Sequence, residues 1–255
     1  MTAAGDLRLG RPAQRMLGGL MLGHFAVVCA IKLATGVAGE ILWMSHVGLL
    51  LAGTGLVLGR PLLVATALID ILMLHGLWLA DCATWWTTGV FPLGITRYLG
   101  DATWSTWVAT AHHFYLAPLL LVIVRRRAVR APDTYLAALA ASLILTAASR
   151  AAVRPALNVN YAFGVNITLP VALVEWGNAQ PGAVYLLVLN AVIAVFFITP
   201  AYLLLRSREE QDRHMGSSFD ESPRCASIGS SITWTTWLRA SDGGRRTNDS
   251  STTCL

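Results

Sequence analysis

Ionisable and hydrogen-bonding side chains stand in this chain where an apolar sequence should have none. Lys32, His46, Asp70, His75, Asp81, His112, His113 and Arg150 lie within or at the edges of long apolar stretches. Asn158, Asn160 and Tyr161 follow shortly after the last of them. In a bilayer core such groups are costly and turn toward the protein interior, where they do work. An imidazole titrates near neutral pH, so His112 or His113 is the candidate general base. Asp81 or Asp70 would orient it. Asn158 and Asn160 carry donors for a developing oxyanion. Thr54 is the candidate nucleophile, with a water as the equal alternative. His46, Asp70, His75, Arg150, Asn158, Asn160 and Tyr161 complete the set as binding residues.

Each has a plainer reading. His46 and His75 near a boundary could snorkel to water. Asp70 could pair with Lys32 or Arg150 as a bridge between helices, and Asp81 could cap a helix end. Neither His-x-x-x-His nor HExxH spacing occurs, so no metal and no cofactor is expected. At 100° per residue, Asp70, Leu74 and Asp81 share one stripe, while His75 and Cys82 share another. His112 falls on a stripe with Trp104 and Tyr115, and His113 points about 100° away. Two imidazoles so placed face one ligand only if other helices help. Ser142, Thr146 and Arg150 form a further polar stripe.

The elements that must position these groups are membrane helices. The chain has 255 residues, 55% hydrophobic and 13% charged, with mean hydropathy +0.57. A soluble domain carries about 25% charged residues. Six stretches reach the roughly 20 apolar residues that a bilayer core demands: 16–36, 41–58, 62–81, 104–124, 134–153 and 183–205. The expected fold is an all-α polytopic transmembrane bundle of about six helices. The first stretch is too long for a signal-peptide core and lacks a small-residue cleavage site, so it reads as a retained helix.

Basic residues give the orientation. Arg8, Arg11, Arg15, Arg60, Arg125, Arg126, Arg127, Arg130, Arg206, Arg208 and Arg213 fall on one side of a six-span topology. Arg97, Arg150 and Arg154 fall on the other, with Lys32 beside them. Both termini are thus expected in the cytoplasm of a multi-pass plasma-membrane protein. Residues 1–15 form the cytoplasmic N-terminus, 16–206 the transmembrane domain and 207–255 a disordered cytoplasmic tail. The tail is rich in Ser, Thr, Gly and charge, with Trp234 and Trp237 as its only large apolar anchors. The net charge of +5 sits in clusters between spans, which is an orientation signal and no sign of nucleic-acid binding. Four cysteines without CxxC spacing suggest neither a disulfide framework nor zinc. The sequence leaves the oligomeric state open.

Gly48, Ala52, Gly55 and Gly59 share one face of the second stretch and predict close helix packing in lipid. Alanines 137, 138, 140, 141, 147 and 148 do the same for the fifth. Pro118 removes one backbone bond and predicts a bend in the fourth. Trp43, Trp78, Trp85, Trp86, Trp104 and Trp107 read as an interfacial aromatic belt.

Short pieces resemble an uncharacterised group of bacterial six-helix membrane proteins, distantly similar to the YwaF-like integral membrane proteins. They are Leu42-Trp43 with His46, Leu77-Trp78 with Asp81, His112-His113 with Pro118, and Asn158-Val159-Asn160-Tyr161-Ala162-Phe163-Gly164. Together they span about residues 40 to 205. More distant six-helix proteins look like lipid acyltransferases or threonine-type lipid hydrolases. Those place a Cys or Thr nucleophile on the second helix and a His on the fourth. Here no Cys stands on the second helix, and Thr54 lies several residues deeper than His112.

Two functions follow as expectations. One is a membrane-embedded enzyme acting on a lipid or acyl substrate from an outward-facing His/Asp/Asn pocket. The alternative is a non-enzymatic transporter or a small-molecule or lipid-binding protein. The partners in either case are the bilayer and a lipid or small apolar molecule.

Overall fold

A computed structural model describes residues 7–124, 128–129 and 132–206. The basic group Arg125–Arg127 and Arg130, the first six residues and the tail 207–255 lie outside the described residues. Within them the chain is helical, with one isolated antiparallel bridge between Leu7 and Val124. Helix α1 (Arg11–Ala34) starts on Pro12, which costs no hydrogen bond in a first turn. A 3₁₀ turn (Ala38–Leu42) leads to α2 (Met44–Leu58). Gly59 then takes the left-handed conformation at φ +63°, and Arg60 N–H bonds Gly55 O at 2.7 Å. This glycine cap turns the chain into α3 (Pro61–Thr88).

The fourth stretch is divided into α4 (Trp104–Thr110) and α5 (His112–Ile123). The division falls at Ala111, while α5 continues through Pro118. Helix α6 (Pro132–Ala152) and a short α7 (Val171–Asn178) precede α8 (Gly182–Ile193). The last continues through a π-turn at Ala194–Ile198 into one apolar rod, Gly182–Arg206. Five helices are long and apolar enough to cross a membrane, counting Trp104–Ile123 as one, and the 15-residue α2 is a shorter apolar helix. The expected six-span bundle thus stands as five full-length helices and one short one. The third is longer than expected, because Cys82–Thr88 continues the helix past Asp81.

Backbone approach at glycine sets the register of the first three helices. A Cβ on Gly18 would lie 2.7 Å from Gly53 O, and one on Gly53 would lie 3.1 Å from Gly18 O. Helices α1 and α2 therefore cross with main chains in contact. Across the other face of α2, a Cβ on Gly48 would meet Ile71 and one on Gly55 would meet Val64, each at 2.7 Å. The expected small-residue face is the α2–α3 interface, and Gly53 adds a second one. Leu49, Leu56, Leu68, Ile71, Leu116 and Leu120 fill the core around this three-helix sheet of contacts. Helix α6 is only half an interior helix. Ala138, Ser142 and Ser149 face inward, whereas Leu136, Leu143 and Ile144 are exposed.

Helices α1 and α8 present Leu20, Leu33, Leu187, Val195 and Phe196 outward. Such faces suit lipid, which asks only that a side chain be apolar. Gly18 and Gly19 test the crossing side by side, because a Cβ on Gly19 meets nothing. Gly18→Ala is expected to destabilise the bundle by about 1–3 kcal/mol through overpacking. Gly19→Ala should not lower the thermal unfolding midpoint in detergent, so the two midpoints compared give the answer.

Candidate functional site

At the division of the fourth span three successive carbonyls accept from three imidazoles. Ala111 N–H bonds Val108 O at 3.3 Å, and Phe114 N–H bonds Ala111 O at 3.1 Å. The backbone is wound more tightly there than an α-helix, whose amides reach four residues back. Val108 O then accepts from His24 Nε2 at 2.9 Å. Ala109 O accepts from His112 Nδ1 at 3.0 Å, and Thr110 O from His113 Nδ1 at 2.9 Å. A carbonyl only accepts, so the ring nitrogen in each pair carries the hydrogen. In the neutral ring the other nitrogen is then a lone pair. That of His24, Nδ1, receives the Tyr115 hydroxyl at 2.6 Å. Those of His112 and His113 are both Nε2.

His46 and His75 join from α2 and α3. His46 Nδ1 donates to Glu40 O at 2.8 Å, which leaves its Nε2 as a lone pair too. The His112 ring centroid lies 4.3 Å from His113, 5.2 Å from His46 and 5.8 Å from both His24 and His75. His75 lies 4.5 Å from His113. Five of the six histidines of the chain thus form one centre; the sixth, His214, is outside the described residues.

The glycine register explains the meeting. Six residues along from the Gly18–Gly53 crossing, His24 comes opposite Val47, next to His46. Two residues from the Gly48–Ile71 contact, His46 comes opposite Met73, half a turn from His75.

His112 and His113 open the same helix, and their rings meet at 4.3 Å with His75 of α3 beside both, so the help from another helix is supplied. One expectation is corrected here. His46 and His75 do not snorkel: they are 3% and 1% exposed. Both nitrogens of His75 and Nε2 of His112 are buried without a hydrogen-bond partner. One ring nitrogen each of His75, His112 and His113 lies within 4.8 Å of the other two. Three such donors can hold a metal ion. Linear spacing predicts no such set, because the donors come from two helices and a broken turn.

The other candidates are occupied elsewhere. Asp81 does not reach the imidazoles with a hydrogen bond. Its carboxylate accepts from Leu93 N–H at 2.7 Å, and from Thr96 N–H and the Thr96 hydroxyl at 2.8 Å each. It folds the returning loop onto α3, seven residues before the helix ends, so it is no end cap. Asn160 accepts from Met44 N–H at 2.8 Å and donates to Leu42 O and Ser149 Oγ at 2.7 and 2.9 Å. Asn158 accepts from Phe163 N–H and Gly164 N–H and donates to Gly164 O. Asn160 thus holds the α6–α7 connection against the start of α2, and Asn158 folds that connection on itself.

Arg150 donates to Ala162 O at 2.9 Å, and its guanidinium stands 4.8 Å over the Phe163 ring. Lys32 pairs with Glu40 at 2.5 Å. The expected Asp70 bridges to Lys32 or Arg150 are therefore not formed. Asp70 is buried with Oδ1 lacking a partner. Thr54 lies eight residues below His46 on α2, about 12 Å along the axis. Tyr161 holds φ +56°, accepts the Tyr185 hydroxyl on its carbonyl at 2.7 Å, and packs edge-on against Trp43. Burial pushes its phenol up to about 12, so it stays neutral.

Three members lie outside the candidates read from the sequence: His24, Trp78 and Tyr115. Trp78 is no belt residue: it is buried, stacks on His113 at 4.5 Å and donates Nε1–H to the Tyr98 hydroxyl at 3.0 Å. Tyr115, on the His112 stripe, brings its hydroxyl to His24 Nδ1. A histidine three residues from a tyrosine on one helix was the available signal.

Fold and site together define an all-α membrane-type bundle around a buried histidine centre. Comparison with protein-family models, curated proteins and solved structures finds no match. Asp81 offers a check on the division between scaffold and centre. Asp81→Ala leaves Leu93 N–H and Thr96 N–H unpartnered, at about 1–3 kcal/mol each. Hydrogen exchange is expected to accelerate at residues 93–97 and to stay unchanged in α5.

Proposed function

We propose that the protein is a membrane-embedded enzyme that hydrolyses an ester bond in a lipid or lipid-like acyl substrate. One observation carries this reading: imidazole lone pairs converge in the interior with no structural partner to bind. Buried polar groups are ordinarily bonded, and orphaned ones mark places where a ligand or substrate completes the set. An imidazole of the centre takes a proton from water. The hydroxide adds to the acyl carbonyl carbon, the carbon–oxygen ester bond breaks, and the alkoxide leaves with that proton. Water, not Thr54, is the nucleophile in this scheme, since Thr54 is two turns away. Asn158 and Asn160 act as scaffold rather than as oxyanion donors.

The protein sits in the plasma membrane with both termini in the cytoplasm. Arg11 and Arg60 at one end support that orientation, and the centre then lies toward the outer face. Kinship with the YwaF-like membrane proteins belongs to the same reading. It is supported by the piece from Asn158 to Gly164, in which Asn158, Asn160 and Phe163 each hold a specific contact.

Asp70 favours a second reading, a proton-coupled carrier. Its unpartnered carboxyl lies five residues from His75, about 7 Å along α3. Liposomes holding the purified protein and a broad lipid panel, followed by mass spectrometry, separate the two. Turnover should appear and fall about 10²–10⁴-fold in His112→Ala. An unchanged panel, or full turnover in that variant, overturns the enzyme. The carrier replaces it if vesicles then show proton uptake that Asp70→Asn abolishes.

A further inference from the structure

We propose that His75, His112 and His113 bind one divalent transition-metal ion of the zinc class. The proposal deepens the reading of this centre as the site of chemistry, but does not depend on the substrate. Four features of the three residues support it together.

The donor atoms are already gathered. A tetrahedral ion with nitrogens at about 2.1 Å asks for about 3.4 Å between them. The three nitrogens lie within 4.8 Å of one another, so modest ring rotations close the set. His75 is free to supply much of that movement, because neither of its nitrogens is hydrogen-bonded.

The tautomers are already chosen. Metal-bound imidazole typically donates its second N–H to a carbonyl or carboxylate, which fixes the ring and aims the other nitrogen at the ion. His112 and His113 do this with Ala109 O and Thr110 O. Trp78 holds the His113 ring from its far side by stacking.

The donors are orphaned. His112 Nε2 and both His75 nitrogens are buried without partners, at a cost that a bound ion would remove. The ligand type also selects the metal. Imidazole suits zinc, copper, iron and nickel, whereas magnesium and calcium demand oxygen. No described carboxylate hydrogen-bonds or ion-pairs with these rings. Asp81 is bound to the 93–96 loop, and Glu40 to Lys32.

Three histidines leave a fourth position for water, as in catalytic rather than structural zinc sites. His46 stays outside the set with Nε2 free, 5.2 Å from His112 between ring centroids. In a loaded centre it is the imidazole that can take the water's proton.

The test uses the full chain, purified in detergent from membranes without a polyhistidine tag and without chelator. Elemental analysis after incubation with zinc and removal of the excess should give about one ion per chain. Cobalt exchange should give the visible bands of a tetrahedral nitrogen site. His75→Gln removes no hydrogen bond, so it should keep the size-exclusion profile and lose at least about tenfold in zinc affinity. His46→Gln should keep the ion. Metal content below about 0.1 per chain in the unaltered protein overturns the proposal; so does equal binding by His75→Gln and His112→Ala. Metal without lipid turnover would sink only the enzyme reading. Turnover lost in His112→Ala without bound metal would sink only the ion.

Discussion

A backbone carbonyl facing hydrocarbon must be bonded within the protein, and the centre of this molecule is organised by that demand. Between Val108 and Phe114 the regular four-residue reach is interrupted. Three successive carbonyls there take imidazole donors, although Val108 O also keeps the Ala111 N–H. His24, His112 and His113 satisfy them in order, one imidazole N–H each. That requirement is structural, yet it has a chemical result. It chooses which nitrogen of each ring is protonated and turns the other one away from the backbone. For His112 and His113 this leaves lone pairs toward a shared space, and for His24 one that the Tyr115 hydroxyl fills.

The second constraint is distance between helices. Lipid tails give helices no hydrophobic reason to associate, so close main-chain approach at small residues carries the packing. Gly18 with Gly53 and Gly48 with Ile71 set how far α1, α2 and α3 slide past one another. A slide of one turn would separate His24, His46 and His75 by about 5.4 Å. The glycines therefore fix the level at which the histidines of separate helices meet.

Much of the fold was legible because membrane helices must be long and apolar, and this needs no knowledge of partners. Helices stand near all six expected stretches, five of them long enough to span, and the Gly48–Gly55 face packs as its spacing indicates. The site was harder to read, for physical reasons. The meeting of His112 and His113 with His75 depends on how α3 and α5 pack, which no spacing within one stretch shows. Asp81, Asn158 and Asn160 have the chemistry of catalytic groups, but backbone groups of the connecting loops and of the start of α2 claim their bonds. A side chain's type says what it can bond; only the tertiary structure says whether a nearer backbone group has already taken it. Tyr161 in a left-handed conformation had no sequence signal either, because bulky residues there cost about 1–3 kcal/mol and persist only under outside restraint.

Helix α2 spans about 22 Å, against about 30 Å of hydrocarbon in an ordinary bilayer. Its first turn follows the 3₁₀ segment Ala38–Leu42, whose last carbonyl accepts from the Asn160 side chain, so a deficit can be met at that end. A stiff, short element fixed between two long ones acts as an elastic load on the sheet of lipid around it. The membrane can answer by thinning on that side, at a fraction of a kcal/mol per Å. Headgroups drawn inward there would meet the bundle at the level of His46, two residues inside the start of α2. Bilayer thickness would then set how far a polar headgroup must travel to reach the imidazoles.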